Sequence, residues 1–221
     1  MLISLIVAGG NSFSMKWLII ISLVAFIPQI TYSQYYGEIH IGVATSKMNI
    51  PKQFEVNNTA VINPIIQGSI IKILGPKFSW VLAVQFGGYG FAADENEKNP
   101  KTVYRLHYAL VIPKIEYRIS PKFGATSGIS FGKLISTERK YDNEKWMNVD
   151  EFRFFKDFEF GISCGLQYNV GNFIFGVSYF NGLSNIANEG EGWMDPNHVL
   201  IDKPVANNRS LSMGLSYRFR L

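Results

Sequence analysis

The stretch Ser210-Leu-Ser-Met-Gly-Leu-Ser-Tyr-Arg-Phe-Arg-Leu221 decides how the rest of the chain is read. Leu211, Met213, Leu215, Tyr217, Phe219 and Leu221 take every second position. Ser210, Ser212, Gly214, Ser216, Arg218 and Arg220 stand between them. Successive residues of a strand point to opposite faces, so one face of this segment is wholly apolar and the other small or charged.

The same alternation recurs upstream. Ile39, Ile41 and Val43 oppose Glu38, His40 and Gly42; Trp80, Leu82, Val84 and Phe86 oppose Ser79, Ala83, Gln85 and Gly87. Phe158, Phe160, Ile162, Cys164, Leu166 and Tyr168 oppose Asp157, Glu159, Gly161, Ser163, Gly165 and Gln167. Phe173, Phe175, Val177 and Tyr179 oppose Ile174, Gly176 and Ser178. A further segment starts with Tyr104, Leu106, Tyr108, Leu110 and Ile112 on its apolar face, opposite Arg105 and His107. It is expected to switch parity at Pro113, where a bulge would turn Ile115, Tyr117 and Ile119 to the apolar side and Lys114, Glu116 and Arg118 to the other. Residues 61–74 fit neither face cleanly, and Lys133 falls on the apolar face of its segment, a placement suited to a rim.

Strands are expected at about 36–46, 61–74, 78–92, 103–119, 123–137, 151–170, 172–182 and 208–221. Gly75-Pro76-Lys77, Ser120-Pro121-Lys122 and Val170-Gly171-Asn172 are tight-turn sequences, each followed by a Phe (Phe78, Phe123, Phe173). Long polar segments near 47–60, 93–102, 138–150 and 183–207 alternate strictly with these turns. Eight strands need three connections at one end and four at the other. The expected fold is therefore all-β: an eight-stranded antiparallel up-and-down transmembrane β-barrel, with short periplasmic turns and long outer loops.

Composition agrees. The 221 residues suit a single domain or barrel; 17 Phe, 11 Tyr and 20 Gly with only 17% charged residues fit spanning strands. No stretch reaches the roughly 20 apolar residues that a spanning helix needs. The net charge of +4 is small and spread out, which argues against nucleic-acid binding. A soluble lipocalin-like barrel with its apolar face inside is the alternative. Against it, large aromatics crowd one face, more than an eight-stranded interior is expected to hold, and Trp80, Tyr117, Tyr168 and Tyr217 near strand ends suit an interfacial girdle.

Residues 1–33 read as a signal peptide and 34–221 as the barrel domain. Met15-Lys16 supplies a short positive region, Trp17 through Ile27 an apolar run broken by Pro28, and Thr31-Tyr32-Ser33 a small-residue cleavage site before Gln34. Met15 is the expected true start; the alternative is an uncleaved anchor. The single Cys164 allows no internal disulfide and lies on an apolar face, as a packed or lipid-facing thiol.

Five segments in this order carry a resemblance. They are Leu106-His-Tyr-Ala-Leu-Val-Ile-Pro-Lys-Ile-Glu-Tyr117, Lys122-Phe-Gly-Ala-Thr-Ser-Gly-Ile-Ser-Phe-Gly-Lys-Leu-Ile135, Phe158-Glu-Phe-Gly-Ile-Ser-Cys-Gly-Leu-Gln-Tyr168, Val177-Ser-Tyr-Phe-Asn-Gly-Leu-Ser-Asn-Ile186 and Asn208-Arg-Ser-Leu-Ser-Met-Gly-Leu-Ser-Tyr-Arg-Phe219. Together they resemble the PorT-like outer-membrane β-barrel family of Gram-negative bacteria over about residues 36–221. The resemblance implies this fold and an outer-membrane location; the family's namesake is associated with type IX protein secretion. The chain departs from many barrels by ending in Arg220-Leu221 rather than an aromatic.

The face opposite the apolar one is the first candidate site. Glu38, His40, Arg105, His107, Lys114, Glu116, Arg118, Asp157, Glu159, Arg218 and Arg220 are expected to point into the lumen, and closure would set Glu38 beside Arg218 or Arg220. Buried charges must pair, so the expectation is a salt-bridged polar plug, with a thin ion pathway as the alternative. The loops are the second candidate. Trp146-Met147 and Trp193-Met194 each sit among acids and amides, either packed on each other as a cap or free as contact residues. Asp94-Glu95-Asn96-Glu97 reads as a solvated loop before it reads as a Ca²⁺ site.

Only His40, His107 and His198 are available as catalytic bases, and a lone inward His107 reads as part of a polar network. No metal spacing or phosphate loop occurs, so no enzyme activity and no cofactor are expected. The expected role is structural or interactive; the alternatives are a small-solute pore, an accessory of a protein secretion system, which the family resemblance implies, and a membrane-embedded hydrolase that would use His107 as its base. The expected partners are outer-membrane lipid, the outer-membrane assembly machinery and a protein partner at the outer loops.

Overall fold

The structure, a computed structural model, describes residues 34–49, 58–93, 101–141, 144–152, 154–188 and 205–221. The expected signal peptide, Asp94–Glu97, Trp193, Met194 and His198 lie outside the described residues. Among those described, the strands are β1 (Tyr35–Asn49), β2 (Asn58–Ile73), β3 (Phe78–Ala93), β4 (Thr102–Arg118), β5 (Phe123–Tyr141), β6 (Met147–Asn148), β7 (Phe158–Val170), β8 (Phe173–Gly182) and β9 (Asn207–Arg220). Every pairing is antiparallel. Each strand bonds to its neighbour in sequence, except that β5 passes over the two-residue β6 to pair with β7. β9 returns to β1 over the full register from Tyr36↔Arg220 to Asn49↔Asn207. Eight long strands thus close on themselves and leave no edge, which removes the aggregation hazard of an open sheet.

The three short hairpins share one device. The Phe after each turn faces a Tyr on a neighbouring strand: Phe78↔Tyr117, Phe123↔Tyr168 and Phe173↔Tyr217. Their ring centroids lie 5.0, 4.9 and 5.3 Å apart. These tilted pairs form an aromatic band around the short-turn end, where amphipathic rings suit a boundary between lipid and water. The β7–β8 hairpin turns at Gly171, whose φ is +60°. A Cβ there has open space but an unfavourable backbone conformation. Gly171→Ala is expected to cost about 1 kcal/mol, read as a lower urea midpoint for the folded barrel.

The outward faces carry Ile39, Ile41, Val84, Phe86, Ile162, Leu166, Phe175, Val177, Leu211 and Met213, all exposed, on five different strands. So large a contiguous apolar belt is the surface of a barrel that sits in lipid, with its backbone groups satisfied between strands. The predicted faces of β1, β3, β7, β8 and β9 match this arrangement.

β4 does not. Tyr104, Leu106, Tyr108, Leu110 and Ile112 point inward, and Arg105 and His107 point outward. Leu106, Tyr108 and Leu110 are fully buried with Tyr89 and Phe180, and Tyr89 stacks on Phe180 across the lumen at 5.1 Å. The expected parity switch at Pro113 is absent. The β3–β4 register runs unbroken through Leu82↔Pro113, so the proline removes a hydrogen bond without adding a residue. The irregularity sits on β5 instead, where the partners step from His107↔Ser136 to Tyr108↔Leu134 and leave Ile135 as the extra residue. A second one, between Ala60 and Ile65, separates the two ends of β2. From Ile62 on, Asn63, Ile65, Gln67, Ser69 and Ile71 are buried inward while Ile62, Ile66 and Ile70 face out. Isoleucine on both faces is why this strand has no readable alternation.

Aromatics therefore do fit inside an eight-stranded barrel. Glycine in the wall makes the room: a Cβ at Gly161 would collide with the Phe180 ring. The strand expected from residue 151 begins at Phe158. Before it, a 3-10 turn at Asp150–Phe152 leads to Phe155, which bridges to Ala187 and packs into the interior. Asp150 stabilises this loop by accepting from the Thr137 amide, while its own amide donates to Asn148 Oδ1 at 2.9 Å.

Candidate functional site: a lumen filled in two layers

The interior divides by chemistry along the barrel axis. Toward the short turns, Arg218 of β9 lies between two carboxylates. Its Nε and Nη2 donate to Glu38 Oε2 at 3.0 and 2.7 Å; its Nη1 and Nη2 donate to Glu116 Oε1 and Oε2 at 3.2 and 2.8 Å. Glu38 is the direct cross-strand partner of Arg218 where β1 meets β9, and Glu116 reaches over from β4. The Glu116 side chain is only 5% exposed. A planar guanidinium can serve two carboxylates at once, which an ammonium cannot do with the same geometry. Lys114, beside both acids, balances the charge and donates to Gln67 Oε1 at 3.4 Å. Gln67 in turn donates to Ser69 Oγ at 2.9 Å.

One step further in, His40 Nδ1 and Ser216 Oγ share a hydrogen bond of 2.9 Å. Ser178 and Ser212 hydroxyls meet at 2.7 Å. Gln67, Gln85, Thr126 and these groups surround a small central void of about 70 Å³. Toward the long loops the lumen turns apolar. Met48, Tyr89, Phe91, Leu106, Tyr108, Phe155, Phe180 and Ile186 form one buried cluster, with Phe91 stacked on Tyr104 at 5.0 Å. Glu159 is enclosed within it, 3% exposed, with Asn208 and Tyr108 beside it.

The structure brings together Glu38, Glu116 and Arg218, with His40 nearby. Arg118 and Arg220 stand at the short-turn mouth of the same lumen. Glu159 lies inside, but in the apolar layer. Asp157 is exposed at the rim, where its carbonyl accepts from the Leu134 amide at 2.6 Å. Arg105 and His107 are on the outer wall. The Arg105 guanidinium covers the Trp146 ring at 4.1 Å, and His107 Nε2 lies 3.3 Å from Glu138 Oε2. Ser136 is cross-strand from His107, but the polar contact its ring makes is with Glu138. The sequence expectation places both in the lumen, because their apolar neighbours read as lipid-facing. They stand outward because the unbroken β3–β4 register carries the inward parity of Lys114 and Glu116 back to Leu106 and Tyr104, which leaves Arg105 and His107 on the other face. Met147 is exposed on β6, where Glu138↔Asn148 and Arg139↔Met147 pair.

The apolar layer was missed from sequence. Its signal was available, since even-numbered Lys114, Glu116 and Arg118 must face inward and an unbroken strand carries that parity back to Tyr108 and Leu106.

No family model and no curated protein matches the chain. Among solved structures it aligns with Neisserial surface protein A at 13% identity and a TM-score of 0.50, over 84% of this chain and 97% of that one. The fold is similar to that of this surface protein. The attachment invasion locus protein Ail of Yersinia pestis aligns at 14% identity, over 83% of this chain and 98% of that one, with a TM-score of 0.47. The outer membrane protein OprG of Pseudomonas aeruginosa aligns at 12% identity, over 86% and 98%, with a TM-score of 0.44. At these identities the likeness is one of architecture alone.

Proposed function

We propose that this chain is an exported, non-enzymatic outer-membrane barrel, closed to solutes, that acts as a structural or interaction component. The observation that carries this reading is the two-layer filling of the lumen. An ion crossing it must break the Glu38–Arg218–Glu116 cluster and then pass an apolar layer built from stacked rings. Each barrier is costly, and the two lie in series. Exported location is supported by the signal-like residues before Gln34 and by the apolar belt. Interaction through the long-loop end is supported by the β5–β6 hairpin, which holds Trp146 under Arg105 and leaves Met147 exposed. Trp193 and Met194 belong to the same reading by sequence.

Planar-bilayer recording of the purified protein is expected to show no stable conductance. Discrete, reproducible single-channel steps would replace this reading with that of a small-solute pore. A second reading, an accessory of a protein secretion system, is supported by the ordered segments that resemble the PorT-like family. It predicts that affinity capture from detergent-solubilised envelopes retains components of that system, and their absence would remove it.

A further inference from the structure

At the short-turn end the interior widens into a cavity of about 430 Å³. Its floor is the Arg218 cluster, whose charges are already matched. Its wall carries Arg118 of β4, Arg220 of β9 and Asn169 of β7. Glu38 and Glu116 both pair with Arg218, and among the described residues neither Arg118 nor Arg220 is paired with a carboxylate. Both are exposed at the mouth, and both come from strand positions that face inward.

The charge distribution reinforces this. Of the 17 acidic residues, only Glu38 and Glu116 lie toward the short-turn end. All the others fall in sequence in the long connections or on the strand ends that flank them. Lys72, Lys77, Lys114, Arg118, Lys122, Arg218 and Arg220 share the short-turn end. The basic excess of the chain is therefore concentrated at one pole, and a concave mouth with low-dielectric walls focuses its field.

We propose that this mouth is a binding site for a phosphate-class oxyanion, held between the Arg118 and Arg220 guanidiniums with Asn169 as an additional donor. Two planar forks on opposite strands can each make paired hydrogen bonds to a tetrahedral oxyanion, and a doubly charged ligand neutralises both. The anion comes either free from the compartment facing the turns or as the phosphate of a phospholipid headgroup in the adjacent leaflet. The site uses none of the residues that block the lumen, so it stands or falls separately from the conductance experiment.

The test is calorimetric titration of inorganic pyrophosphate into the full chain folded in a zwitterionic detergent. Saturable binding that weakens with added salt is expected. Arg118→Gln/Arg220→Gln is expected to weaken it at least tenfold, while Lys77→Gln/Lys122→Gln in the turns leaves it within twofold. Arg220→Gln alone, expected to be intermediate, keeps the test open if the double variant folds poorly. No binding to the native chain, or equal binding to native and double variant, overturns the proposal. Repeating the titration in vesicles separates the sources: binding kept in phosphatidylcholine but lost when phosphatidylglycerol is included assigns the headgroup, and binding kept in both assigns the free anion.

Discussion

Arg218→Ala is expected to be among the most damaging single substitutions in the barrel, lowering its unfolding free energy by about 3–5 kcal/mol. The side chain is 17% exposed and holds two carboxylates that are 12% and 5% exposed. Removing the guanidinium leaves Glu38 and Glu116 facing each other in a confined interior with only Lys114 between them. Their desolvation cost stays while the attraction that offset it is gone. Equilibrium urea unfolding in lipid vesicles, followed by tryptophan fluorescence, measures the loss. The informative companion is the triple variant Glu38→Gln/Glu116→Gln/Arg218→Met. Replacing a buried ionic cluster as a whole is often close to neutral, so this variant is expected to recover most of the stability. If Arg218→Ala unfolds at the native midpoint, the cluster is solvated and the lumen is open at this level.

The second large effect belongs to the outer wall. Val177 lies mid-way along β8, 49% exposed, between Leu166 of β7 and Met213 of β9. On a water-facing surface Val177→Arg would change stability by no more than about 0.5 kcal/mol. In a bilayer the same change puts a guanidinium among acyl chains, at a cost of about 2–4 kcal/mol near the midplane. Urea unfolding in vesicles is expected to show the larger loss, and a protein that dissolves as a monomer without detergent would show the smaller one. Val84→Arg on β3, another exposed belt position, is expected to behave alike; Lys133, already tolerated at the rim, shows where the penalty falls away.

These two effects also mark what the sequence could and could not show. β1, β7, β8 and β9 set large apolar side chains against Gly, Ser, Glu and Arg, so their two faces separate by composition and the barrel follows from them. β4 sets Tyr104, Leu106 and Tyr108 against Val103, Arg105 and His107. There both faces must be judged by environment, because an apolar lumen selects the same side chains as lipid does. Assigning the greasier face to lipid then requires a parity switch, and Pro113 is a plausible place for one. Only the continuous β3–β4 register excludes it. In β2 the same ambiguity is total, since Ile65 and Ile71 fill the interior while Ile66 and Ile70 face out. Glu38, Glu116 and Arg218 were legible as inward charges by parity alone. Which of the inward arginines would bridge the two acids depends on strand tilt and stagger, which a single strand's pattern does not encode.

The seam between β1 and β9 joins the start of the wall to its finish, and the guanidinium that satisfies both acids is carried by the strand that follows the others of the barrel in sequence. Until that strand docks, the growing sheet exposes Glu38 on its leading edge with no counter-ion opposite. The join is thus electrically self-proofing. A mis-registered seal displaced by one residue would turn Arg218 toward acyl chains and leave two anions stranded, so only the correct fit completes the ring without penalty.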